Sequence, residues 1–373
     1  MNKLRIKIFF LALYFLLPLS GFGQLNNEPL QWQTIPADSA GLWLDLSTLG
    51  YFKNNEYFSV LEGFTLPGYQ LNPSLRFQID STISISAGIF LNHYFGEEKI
   101  DQVSPFFRLK YQKKYFTAIF GNLEGALAHQ LIEPLYDFDR LIYDRQENGL
   151  QFKWKDDHFY SDLWINWKQF IYPNDIRQEK FVAGYSGSYT PQLASENLKI
   201  TIPIQLLARH LGGQINQPGR SSNSIFNYAT GLEIQKKVLE SKWFQSIAWK
   251  NYLVVNNAVF NENLGSRRGT GFYSNLSTQF KLFDLMLSYW YSDHFIGPEG
   301  GIIYSSIAFS DFYQGVTEAK RNLLIMRIMK NIKLSDFDLV MRFEPFYDFN
   351  NTTLEYSFGF YLNLTESFFL LKI

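Results

Sequence analysis

The sequence predicts an all-β fold, a single antiparallel barrel that spans a membrane with about 18 strands, or 16 if one pair is miscounted. Three observations predict it. Apolar and polar side chains alternate over runs of about 9 to 12 residues, the length of a tilted membrane strand. The connections between these runs alternate short and long. Aromatic residues make up 18% of the chain, with 36 Phe, 23 Tyr and 8 Trp, more than a soluble core of this length would house.

The chain opens MNKLRIKIFFLALYFLLPLSGFGQ. Lys3, Arg5 and Lys7 form a basic lead, Ile8 to Leu17 an apolar stretch, and Gly21 and Gly23 the small residues that precede a cut. Residues 1–23 are therefore expected to be a cleaved signal peptide, with Gln24 first in the mature protein. The stretch is shorter than the roughly 20 apolar residues of a spanning helix. Residues 24–52 show no clear strand partner and read as a periplasmic lead-in, which leaves 53–373 for the barrel.

The alternation then begins. Leu71, Leu75, Phe77 and Ile79 stand against Asn72, Ser74, Arg76 and Gln78, and Ile83, Ile85, Ala87, Ile89 and Leu91 against Ser84, Ser86, Gly88 and Asn92. The same period of two recurs around Phe107–Tyr111, Leu150–Trp154, Leu163–Trp167, Leu198–Ile204, Phe337–Phe343 and Leu354–Leu362. A helical period fits none of these runs. Further strands are expected at 301–309 and, separately, at 352–363 and 366–373. Tight turns are expected at Asp80-Ser81 and Asp156-Asp157. The longest connections, above all 123–146, fall on the opposite side. Short periplasmic turns and long outer loops give that rhythm. Two connections break it: 310–319 is long on the short side, and 333–335 is tight on the long side.

Composition removes several functions. Lys+Arg is 34 against Asp+Glu 35, a net charge of -1, so no nucleic-acid partner is expected. There is no cysteine, and the five histidines lack metal-ligand spacing, so neither a metal nor a cofactor is expected. His129 has acids nearby in sequence but no serine beside it, and no GxSxG elbow occurs. On these grounds the sequence is read as a non-enzyme.

The lumen faces carry the best physical signal. Charges cannot face lipid cheaply, at about 2–4 kcal/mol for a mid-membrane Arg or Lys. Arg76, Arg108, Lys110, Lys153, Asp162, Lys168, Lys199, Glu233, Arg342 and Glu344 are therefore expected to line the lumen. Basic residues outnumber acidic ones on those faces, which predicts a weak preference for anions. The loop 123–146 holds Tyr136, Asp137, Asp139, Arg140, Asp144 and Arg145, a mixture suited to constricting a passage or binding a sugar. Three Asp in that loop suggest calcium, but the spacing lacks the glycine and distal glutamate of an EF-hand.

Near the C-terminus, Gly359-Phe360-Tyr361-Leu362-Asn363-Leu364 is similar to the glycine-plus-aromatic signal of barrels inserted by the barrel assembly machinery, while terminal Ile373 departs from the usual Phe. With this segment and the alternation over most of the chain, the sequence resembles the Gram-negative outer-membrane porin-like barrels, and more loosely the alginate-export and capsule-assembly barrels. The resemblance implies residence in outer-membrane lipid and assembly by that machinery. The function expected is a channel for passive diffusion of small hydrophilic solutes. The alternative is a barrel that exports or anchors a surface polysaccharide or oligosaccharide.

Overall fold

A computed structural model describes residues 25, 27–32, 39–58, 61–173, 175, 177–212, 222–238, 243–259, 268–306 and 318–372. The expected signal peptide lies outside the described residues. Sixteen antiparallel strands close on themselves in chain order. They are β1 Gly41–Glu56, β2 Phe64–Gln78, β3 Ile83–Tyr94, β4 Gln102–Lys113, β5 Phe116–Asn122, β6 Asn148–Lys155, β7 Phe159–Gln169 and β8 Lys180–Tyr189, followed by β9 Leu198–Leu211, β10 Asn223–Lys237, β11 Phe244–Val259, β12 Arg268–Phe280, β13 Asp284–Asp293, β14 Lys320–Leu334, β15 Phe337–Asp348 and β16 Thr353–Lys372.

β11 shows why such a sequence closes into a membrane barrel. Ala248, Lys250, Tyr252, Val254 and Asn256 turn inward and are buried, while Ile247, Trp249, Leu253 and Val255 turn outward and are exposed. Outward faces all round the barrel carry such apolar side chains, forming the band that a bilayer covers and a soluble fold would have to hide. Closure satisfies every strand edge, which lipid demands because it offers no hydrogen bonds. The start of β1 at Gly41, the end of β16 at Lys372 and the tight turns share one end, the periplasmic one in bacterial barrels. Asp80 caps its turn there by accepting from the Thr82 and Ile83 amides at 2.7 and 2.9 Å. Asp156 does the same for His158 and Phe159 at 2.9 and 2.7 Å.

The count of 16 lies at the lower end of the expected range, and the reasons are specific. Residues 301–309 were expected to form a strand, but Ile302–Tyr304 is a 3-10 turn inside the lumen. Residues 352–363 and 366–373 were expected to be two strands, but β16 runs unbroken from Thr353 to Lys372. Removing the strand at 301–309 also restores the rhythm of the loops: the connection from β13 to β14 becomes one long outer segment, and Ser335-Asp336 becomes a short periplasmic turn. The barrel begins earlier than residue 53, since β1 starts at Gly41 and pairs with β16 from Gly41↔Lys372 to Glu56↔Tyr356. Its alternation is blurred because Leu49 and Tyr51, on the inner face, are apolar too.

A barrel of 16 strands leaves an aqueous lumen unless something fills it. Here three segments fill it. Loop 123–147 folds in from the outer end, residues 295–306 join it, and residues 25–32 lie against the loop. Ile132 and Leu135 pack with Tyr252, Tyr273, Trp290, Phe295 and Tyr304. Leu25 and Leu30 pack with Leu49, Tyr51, Phe138, Leu141 and Tyr361. This plug has a hydrophobic core of its own inside a polar-walled barrel.

Candidate functional site

The plug is fastened by charge. Arg327 of the wall contacts Glu133 of loop 123–147, and its Nε donates to Glu344 at 2.8 Å. Glu344 also accepts from Arg342 at 2.7 Å and from Lys53 at 3.3 Å. Lys53 in turn lies 3.4 Å from Asp139 of the plug. On the opposite wall Lys168 reaches Asp144 at 2.6 Å and Glu299 at 3.1 Å. Arg140 contacts both of these carboxylates, and its guanidinium sits 4.3 Å over the ring of Tyr136. Charges removed from water this completely persist only when paired.

The remaining predicted lumen residues sit in the same wall. Arg76 grips Asp45 with two bonds of 2.7 and 3.0 Å. Arg108 donates to the carbonyls of Asn122 and Leu123 at 2.7 and 2.8 Å. Lys110 and Lys153 share Glu124 at 2.7 and 2.9 Å. Glu233 pairs with Lys250 at 3.3 Å, and Lys199 lies half-buried on the neighbouring strand β9. The plug acids Glu124, Glu133, Asp139, Asp144 and Glu299 thus offset much of the basic excess that the strand faces alone presented. Glu299 was not singled out in the sequence, because it sits in a segment adjoining the expected strand 301–309.

In the plug, Tyr136 donates to Glu147 at 2.7 Å, and Tyr143 donates to Asp137 at 2.8 Å. Burial, reinforced by the adjacent Asp139 carboxylate, pushes Asp137 up to about 7. Arg145 donates to the Leu30 carbonyl at 2.8 Å and lies 3.7 Å over Trp32, which ties loop 123–147 to the N-terminal segment. His129 is fully buried, with Nδ1 donating to Asp162 at 2.8 Å and Nε2 to Glu147 at 2.9 Å. Burial pushes its pKa down, but the Glu147 and Asp162 charges outweigh that and hold it at about 9. Its backbone carbonyl accepts from Ser186. Sealed from solvent and bonded on both nitrogens, His129 is a structural cation.

A different histidine faces outward. His210, near the outer end of β9, stands directly opposite Ser224 of β10, and its Nδ1 is hydrogen-bonded to the Ser224 hydroxyl oxygen at 2.7 Å. Among the described residues this is the one hydrogen bond between a histidine ring and a serine or threonine hydroxyl. Phe181 of β8 flanks the imidazole with ring centroids 4.8 Å apart and fixes its plane. Trp167 continues the row on β7, 5.7 Å from Phe181, and donates to Glu179 at 2.9 Å. Glu179 is the acid on the diagonal from His210, since its carbonyl accepts from the Gly212 amide. Below the pair the outer face turns apolar through Ala208, Leu206 and Ile204. The outer face of β9 thus changes from apolar to polar at His210, opposite Ser224. The alternation of β9 fades where Arg209 and His210 replace the aliphatic run, so the sequence does not single this pair out.

Comparison with known proteins fits the architecture. The chain is similar to OprD of Pseudomonas aeruginosa, with a TM-score of 0.50 at 9% identity, covering 90% of this chain and 99% of that one. It is likewise similar to a loop-deletion form of OmpT of Vibrio cholerae, with a TM-score of 0.51 at 8% identity, covering 88% of this chain and all of that one. At such identities the likeness is one of fold, that of Gram-negative outer-membrane barrels, and the chain is an outer-membrane protein. No curated protein sequence matches it. A family model described as lipid A 3'-O-deacylase-type matches residues 34–373. The expectation of a non-enzyme is thereby overturned, because that family is one of enzymes. The expectation rested on the lack of a serine beside His129 and of an elbow motif, local signals that a site assembled from separate strands does not carry. With the match running from before the first strand to the last residue, the chain belongs to the lipid A 3'-O-deacylase-type family.

Proposed function

We propose that the chain is an outer-membrane hydrolase that cleaves an acyl ester of an outer-leaflet lipid, with Ser224 as nucleophile and His210 as its base. The observation that carries this reading is the 2.7 Å contact between the Ser224 hydroxyl and His210 Nδ1 on the outward face of the barrel. The ester bonds of a lipid lie between its headgroup and its acyl core, and the outer face of β9 changes from apolar to polar at this pair. The name of the family supports lipid A as the substrate class. In the reaction, His210 takes the hydroxyl proton as Ser224 Oγ bonds to the ester carbonyl carbon. The proton passes to the departing sugar oxygen as the ester bond breaks, leaving an acyl-serine. Water, deprotonated by the same imidazole, then releases the fatty acid and restores Ser224. Phe181 keeps the imidazole aligned through the cycle. The test is to reconstitute the full chain with lipid A and measure released fatty acid by mass spectrometry. Release that stops in Ser224→Ala and His210→Ala supports the reading. Release that continues undiminished in Ser224→Ala removes it.

A second reading, passage of small hydrophilic solutes, is favoured by a polar cavity of about 480 Å³ in the periplasmic half of the lumen, beneath the plug. On that reading the plug moves to let solute through. Planar-bilayer conductance of the unaltered chain tests it, and a silent bilayer counts against it.

A further inference from the structure

That cavity has a charge pattern that neither reading uses. Six cations line it, Arg108, Lys110, Lys114, Arg145, Lys153 and Lys155, against three carboxylates, Glu28, Glu124 and Glu147. Glu124 is shared by Lys110 and Lys153, and Glu147 by His129 and Tyr136. Arg108 spends its bonds on backbone carbonyls. Arg145 rests on Trp32 and the Leu30 carbonyl, and its Nη1 is buried with no hydrogen-bond partner. Lys155 ends β6 at the periplasmic rim. Among the described residues none of Arg108, Arg145 and Lys155 has a carboxylate within ion-pair distance.

Removing an arginine from water without a counter-ion is costly, and this barrel pairs its deeply buried arginines Arg76, Arg140, Arg321, Arg327 and Arg342 with acids, whereas the half-buried Arg108 and Arg145 have none at ion-pair distance among the described residues. Burial pushes Arg145 down to about 9, the signature of a cation lacking a negative neighbour. Its neighbours Gln31, Gln112, Gln130 and Gln146 add neutral polar groups to the wall.

We propose that this cavity is a binding site for a small, multiply charged oxyanion that enters from the periplasm, its phosphate or carboxylate groups held by Arg145, Arg108 and Lys155. A guanidinium offers paired donors to such a group, and lysines at the rim draw it in. A volume of about 480 Å³ accommodates a molecule of a few anionic groups. The site is separate from the outward Ser224–His210 pair and stands or falls independently of it.

The full chain, folded in detergent at low salt, is titrated calorimetrically with pyrophosphate and with citrate. Saturable one-to-one binding of either is expected. Arg145→Gln and Lys155→Gln should each weaken it about tenfold, the scale of one charge-assisted hydrogen bond. His210→Ala should bind as the unaltered chain does. Lys155 stands at the rim, so its variant keeps the test valid if Arg145→Gln fails to fold. Absence of binding by both anions, or equal binding by Lys155→Gln and the unaltered chain, overturns the proposal.

Discussion

The imidazole of His129 lies flat on the indole of Trp164, with ring centroids 3.6 Å apart and planes within 9°. The Glu147 and Asp162 carboxylates then close on its two nitrogens in the ring plane. The arrangement is a cation clamped by one π face and two acids, joining the plug to β7 of the wall.

A pH dependence follows. The folded pKa of His129 is raised to about 9 from an ordinary 6.5, so its contribution is complete below pH 6.5 and is lost as pH climbs through 9. The linked stability is on the order of 3 kcal/mol. Protease resistance of loop 123–147, followed from pH 6 to pH 10, should fall across that window. His129→Gln should flatten the profile. A resistance that rises with pH would contradict the clamp.

Breaking the Arg327–Glu133 contact from one side should weaken the docking of the plug. Both side chains are almost fully buried, and because Arg327 keeps Glu344 at 2.8 Å the loss should stay below the roughly 3–5 kcal/mol of a buried charge left alone. Glu133→Gln should therefore lower the thermal transition of the plug while the barrel itself, held by closed strand ladders, melts as before. Near-ultraviolet dichroism of the plug aromatics separates the two transitions. A single transition at the original temperature would mean the pair carries no docking energy.

Removing the plug should convert the barrel into a pore. Sixteen strands enclose a water-filled channel once the interior is emptied. Excising residues 127–144 removes the plug acids of Lys53 and Arg327 and one of the two that hold Lys168, which keeps Glu299. The expected result in a planar bilayer is a steady conductance, preferring anions, larger than that of the full chain. The preference should fade at 1 M salt, where the Debye length is about 3 Å.

Loss of the base should be felt in turnover rather than in lipid binding. General-base catalysis contributes about 10²–10⁴ in rate, so His210→Gln should lower kcat by roughly that factor and leave KM near its original value. Phe181→Leu, which frees the imidazole to rotate, should lower kcat more modestly. Kinetics on lipid A dispersed in detergent distinguish these cases. An equal loss in KM for both variants would make the row a lipid-binding surface instead.

The sequence by itself determined the barrel. A period of two along a strand cannot be hidden when one face meets lipid, and it stayed legible wherever the inner face was polar, as in β3, β7 and β16. It faded where the inner face met the plug, as at Leu49 and Tyr51 of β1, because both faces were then apolar. For the same reason the buried turn around Ile303 and Tyr304 read as a strand. The charges that line the lumen were legible as well, since the cost of placing them in lipid leaves them one side. What they bond was decided only by tertiary structure. Glu299 and Lys168, or Glu133 and Arg327, come together by a loop folding back through the barrel, and no local period records that path. The outward pair is the clearest case. His210 and Ser224 belong to separate strands joined by an outer loop, and hairpin register alone sets them face to face.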